Sequence, residues 1–191
     1  MLPPMLGKPF FGDVVIHSVE SFSVGKEQLK DLYNRCLRES DSNRKGRLFE
    51  DFAEKFFKAT GYFKDIIKRY HAGLTELDLV MHVKQEFVLS YGNIVVVQCK
   101  NTKDPLNDNV IQDLKKQSSI FGPLVKIGIL ATTSKLSKDA KKELEITNRS
   151  GTIFIIVIDG DDWNYFFEND ISPRDFLEHV KINTPRKYLR P

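Results

Sequence analysis

Cysteine is scarce in this chain of 191 residues: only Cys36 and Cys99 occur. Two widely separated thiols make neither a disulfide framework nor the paired spacing of a zinc site, so a reducing cytoplasm is the expected compartment. Long apolar runs are missing too. No stretch approaches the ~20 residues that a membrane-spanning helix requires. The opening MLPPMLGKPFFGD lacks the basic start and small-residue cleavage site of a secretory signal. There is no repeat, no GxxxxGK[ST] or GxGxxG phosphate loop, and no HxH or HExxH among the histidines. Nucleotide loops and zinc-hydrolase sites of those kinds are therefore excluded. Net charge is slight, +3, but unevenly spread. Residues 44–69 and 174–191 are basic, whereas 150–173 are acidic. Local basic surface attracts phosphate even on a nearly neutral chain.

What remains is an ordinary globular composition, 41% hydrophobic and 29% charged, long enough to bury a core. Apolar spacing predicts a helix over 26–39, a polar connector over 39–46, and a helix from about Arg47 to Thr60 stopped by Gly61. The stretch 75–83 alternates with period two, putting Leu77, Leu79, Met81 and Val83 on one side and Glu76, Asp78, Val80 and His82 on the other. Residues 94–100, IVVVQCK, read as a central strand pairing antiparallel with it. Helices over 108–121 and 137–148 then alternate with strands over 124–131 and 152–158. Ser172 caps a short helix, and KINTPRKYLRP reads as an extended basic tail. The order implies an α/β fold with a mixed, partly parallel sheet flanked by helices. The expected domains are a helical extension over 1–43, a core over 44–160, and a C-terminal helix with basic linker over 161–191.

Chemistry is signalled by polar residues inside apolar strands. Asp78 interrupts a strand that continues Leu-Val-Met, and Gln98 and Lys100 interrupt Ile-Val-Val-Val. Gln98 and Lys100 are two apart and share a face; a lysine there is expensive to bury unless paired or functional. If the two strands adjoin, a carboxylate, an amide oxygen and an ammonium converge. Such oxygens suit Mg²⁺, which polarises phosphoryl groups and activates water, while the lysine orients that water and meets developing charge. Cys99 reads as a buried hydrophobe rather than a nucleophile. His71 and Glu76 are weaker auxiliaries.

Glu50, Glu76-Leu77-Asp78 and Gln98-Cys99-Lys100 resemble the active-site signature of PD-(D/E)xK nucleases, in whose Mrr-like branch Gln commonly replaces the second carboxylate. GRLFEDFAEKFFKATGY, LTELDLVMHV, IVVVQCKN and IGILATTSKLSKDAKKELE are similar to that branch's core helix, its two catalytic strands, and the following strand and helix. The resemblance covers roughly residues 44–158 and implies a restriction-endonuclease-like core that cuts DNA. It implies Asp78, Gln98 and the Cys99 carbonyl as metal ligands, Lys100 as the catalytic lysine and Glu50 as the completing helix carboxylate. It also implies Mg²⁺, with Mn²⁺ able to substitute, and a type I, ISP or IV-like restriction nuclease domain.

Arg44, Lys45 and Arg47, with Lys135 and Lys138, are the expected contacts to backbone phosphates of double-stranded DNA. The final Leu189-Arg190-Pro191 resembles the entry to a helicase motor, so a fused or associated helicase is an expected partner. A dimer is expected during cleavage, because two cuts need two active sites. Two rival readings are a catalytically weak module binding nucleic acid for a motor, and an interaction domain burying Trp163, Tyr165, Phe166 and Phe167 against another chain.

Overall fold

The computed structural model describes residues 25–188; the N-terminal stretch MLPPMLGKPFFGD and the motor-like Leu189-Arg190-Pro191 lie outside them. Helix α1 (Lys26–Arg38) leads into α2 (Ser42–Thr60). The expected connector is thus mostly helical. Asp41 accepts the Arg44 N–H at 2.8 Å and so satisfies one of the donors that a helix start leaves open. Helix α2 buries Phe49, Phe52, Phe56 and Phe57 on one stripe, each worth about 1.5–3 kcal/mol of apolar burial. It ends at Gly61, whose φ of 74° suits glycine.

Strands β1 (Phe63–Ala72), β2 (Thr75–Val83), β3 (Ile94–Lys100), β4 (Ile127–Thr132) and β5 (Phe154–Ile158) lie side by side in that order. The first three are antiparallel and the last two join in parallel. Between them run α3 (Val88–Tyr91), α4 (Asn109–Ser119) and α5 (Lys138–Arg149), and α6 (Gly160–Glu168) and α7 (Pro173–Tyr188) close the chain. One face of the sheet carries an aromatic core built with α1, α2, α6 and α7. The other packs mainly on α4 and α5.

Three expectations need correction. Strand β1 falls in a stretch that the sequence left unassigned, because its charged residues hide the alternation. The acidic segment DDWNYFF is helix α6, and its Trp163 and Phe166 are wholly buried in this chain's own core. The tail is no extension: α7 runs on to Tyr188 with Pro185 inside it. Val180, Thr184 and Tyr188, four apart, are buried, and Thr184 Oγ1 accepts the Val157 N–H of β5. Packing of that stripe outweighs the proline's missing donor.

The fourth correction positions the site. On β2, Leu79, Met81 and Val83 enter the aromatic core, but Leu77 joins Val80 on the opposite face. Alternation slips by one residue at Asp78. Strand β1 slips at the same rung: Ile66 packs on the aromatic core and Lys68 pairs with Asp51 of α2, whereas Tyr70 and Ala72 pack on the other face. The odd residue is Arg69, with φ of 50°, between the rungs Lys68↔Leu79 and Tyr70↔Leu77. A non-glycine residue in the left-handed region is uncommon and costs local free energy.

Candidate active site

The ladder between β2 and β3 runs from His82↔Ile94 to Leu79↔Val97 and stops. Beyond it the Asp78 side chain replaces the missing strand partner: the Cys99 N–H donates to Asp78 Oδ2 at 2.6 Å. An apolar residue there would leave that amide orphaned. Gln98 and Lys100 flank it on β3, held from the far side by β4 through Gln98↔Leu130 and Lys100↔Thr132. Asn101, which sequence reasoning passed over, fixes the strand's end. Its Nδ2 donates to the carbonyls of Cys36 (3.0 Å) and Lys45 (3.2 Å), and its Oδ1 accepts from Thr133 Oγ1 (2.9 Å). Both helices of the α1–α2 pair are thereby tied to the residue following Lys100.

Glu50 comes in from α2 and accepts Arg69 Nε at 2.9 Å. Arg69 is a second residue that the sequence did not reveal, since nothing in KDIIKRYHA marks a left-handed turn of the backbone. A cleft of 340 Å³ opens here, lined by Ser42, Asn43, Arg47, Glu50, Arg69 and Glu76. Glu76 is exposed and faces His71 Nε2 at 3.5 Å.

Burial raises the Asp78 carboxyl above the ordinary range, against the pull of the Cys99 N–H and the Lys100 charge. Burial likewise raises Glu50, with Arg69 opposing and the charges of Asp78 and Glu76 adding to the rise. The Cys99 thiol is driven far up by burial, which removes it as a nucleophile.

Among the described residues no three His, Cys, Asp or Glu side chains gather as a metal shell. A divalent ion would therefore depend on amide and carbonyl oxygen as well as carboxylate. One observation fits that requirement: Gln98 is 4% exposed, and its Oε1 is buried without any hydrogen-bond partner. An orphaned buried oxygen costs about 1–3 kcal/mol, which a cation would offset. Asp78 and Gln98 offer the hard oxygen donors that Mg²⁺ prefers.

The basic residues are spread around this end of the sheet. Arg44 and Arg47 are exposed on the first turns of α2, Arg44 within 3.6 Å of Glu39. Lys45 is half-buried and gives its carbonyl to Asn101. Lys135 is held by Asp161 at 2.9 Å, and Lys138 is exposed at the start of α5.

A mixed five-stranded sheet flanked by helices, with Asp78, Gln98 and Lys100 where two strands part, has the restriction-endonuclease-like architecture. The chain belongs to the restriction endonuclease family Mrr_cat, whose model matches residues 42–167; it is a nuclease domain of that type. Among solved structures it is similar to protein VC1899 from Vibrio cholerae, at 12% identity over 87% of this chain and 45% of that one, TM-score 0.44. It is also similar to a restriction endonuclease PspGI–substrate DNA complex, at 16% identity over 83% and 67%, TM-score 0.38. The chain spans less than half of the Vibrio cholerae protein. No curated protein matches it. No helix of the described residues is long and apolar enough to cross a membrane.

Proposed function

We propose that this chain is a divalent-metal-dependent DNA endonuclease domain, using Mg²⁺ or Mn²⁺, that hydrolyses phosphodiesters by water attack at the parting of β2 and β3. The observation that carries the reading is the buried, unpartnered Oε1 of Gln98 on the strand whose next amide is bound by Asp78. Asp78, Gln98 and the Cys99 carbonyl would hold the metal, which when bound would polarise a phosphoryl oxygen and acidify water. Lys100 orients the attacking water and meets the charge that develops on the phosphoryl oxygens. Glu50, tethered by Arg69, completes the acidic side of the site. Arg44, Lys45, Arg47, Lys135 and Lys138 serve the duplex backbone without reading sequence. A helicase motor and a second copy of the chain are the proposed partners of cleavage.

Plasmid cleavage with Mg²⁺ or Mn²⁺ tests this. The wild type is expected to cut, and Asp78→Ala and Lys100→Ala to lose at least about 100-fold in rate, as removal of a transition-state-stabilising group does. Cleavage persisting in both variants would place the chemistry elsewhere. DNA binding that survives Asp78→Ala, with no cleavage by the wild type at any metal concentration, would favour a non-catalytic binding module.

A further inference from the structure

Arg69 is placed by an unusual backbone. Its φ of 50° turns the side chain out of β1's alternation and onto α2, beside Lys68, which also faces that helix. The matching slip at Asp78 lies between the same two rungs, Lys68↔Leu79 and Tyr70↔Leu77. Glu50 takes only Nε of the guanidinium, at 2.9 Å. Among the described residues no hydrogen bond reaches either Nη, and the side chain is 38% exposed on the wall of the cleft. An arginine serving only as a strut for Glu50 would gain most from a two-pronged pair. Here Nε is anchored and the Nη groups are left open, the geometry that suits planar, bidentate recognition of phosphate.

The geometry points to Arg69 as a phosphate-binding residue: it grips a DNA backbone phosphate in the cleft between the first turns of α2 and β1, with Glu50 holding the guanidinium at the required angle. The inference rests on the nuclease reading for the identity of the ligand, but its readout is binding rather than cleavage. Arg47 lines the same cleft and supplies a second cation there.

Duplex binding by the whole chain is measured by fluorescence anisotropy in EDTA across a series of salt concentrations. Each phosphate neutralised contributes about 0.9 to the slope of log K against log salt. Arg69→Gly accepts the left-handed backbone without strain, which offsets part of the lost pair with Glu50. It is therefore expected to keep a cooperative thermal melt and to show a slope shallower by about 0.9. Arg69→Gln gives the same readout should the glycine variant fail to fold. Arg69→Lys is expected to restore the slope while binding more weakly, since an ammonium lacks the fork. An unchanged slope in a folded variant, or no measurable binding by the wild type, overturns the assignment. If the slope is unchanged while Asp78→Ala abolishes cleavage, Arg69 is only a strut in a working nuclease. If the slope falls while Asp78→Ala and Lys100→Ala still cut, the phosphate contact stands and the catalytic centre lies elsewhere.

Discussion

The Asp78 carboxylate accepts the Cys99 N–H at 2.6 Å, yet burial prevails and its pKa stands above the unfolded value. A carboxyl raised in this way penalises the folded state once it is ionised. The penalty is absent in acid, grows as pH rises from the ordinary carboxylate range through the raised value, and is complete above it. Asp78→Asn keeps an acceptor for Cys99 and removes the charge. It is expected to be more stable than the wild type near neutral pH, because the buried charge is gone. The gap should close as pH falls into the ordinary carboxylate range. Urea unfolding at several pH values checks this, and an Asn variant less stable at neutral pH would refute it. At this scale the sequence was informative: Asp78, Gln98 and Lys100 stand out because they interrupt apolar strands. Arg69 and Asn101 do not, since a charged residue in a charged strand and an amide in a loop look like solvated surface.

Helices and strands were readable where apolar spacing was regular, as in β3, α4, α5 and the caps at Ser137 and Ser172, whose side chains accept the Ala140 and Asp175 N–H groups. Reading failed where two periodicities meet. Residues 75–83 fit period two as a whole, but the face changes at Asp78, a slip that depends on the partner strand's Arg69. The end of helix α7 reads as a basic tail because its residues are mostly polar and charged, whereas long-range contacts decide its length. Lys187 Nζ and Tyr188 OH, near its end, both donate to Asp159 Oδ2 at 2.7 Å. Asp159 is 2% exposed and caps α6. Burial works to raise its carboxyl, but Lys187 and Tyr188 hold it below the ordinary range. Its neighbour Asp162 is pushed up to about 6 by burial and by Asp159. Lys187→Ala would leave these two acids facing each other. The expected cost is about 2 kcal/mol, less than for a fully buried pair because Lys187 keeps part of its side chain in water. Asp162 is ionised above its raised pKa and protonated below it, so the loss should be largest at neutral pH and shrink below about 6. Urea midpoints at the two pH values measure it, and a loss that does not vary with pH would sink the account.

For the whole molecule the question is where the folding unit begins. The family match starts at residue 42, and the polar run before it reads as a linker to a separate helical extension. Packing argues for a larger unit. Helix α1 buries Leu29, Leu32, Tyr33 and Cys36, each larger side chain worth about 1.5–3 kcal/mol, against a net stability of about 5–15 kcal/mol for a domain. The Tyr33 ring lies 5.2 Å from Phe52 and 6.2 Å from Trp163, centroid to centroid, so α1 covers rings contributed by α2 and α6. The Cys36 carbonyl also receives Asn101, which ties α1 to the strand carrying Lys100. A chain starting at Ser42 is therefore expected to lose cooperative unfolding, the near-ultraviolet circular dichroism of Trp163, and the cleavage activity together. Asn101→Ala in the intact chain removes only the tie; it should retain a cooperative transition, lowered by about 1–2 kcal/mol, and cut more slowly. A shortened chain that melts cooperatively with a native near-ultraviolet spectrum would show α1 to be an appendage. Such an outcome would require the aromatic core to close over the exposed faces of Phe52 and Trp163 without the Tyr33 ring that packs on both.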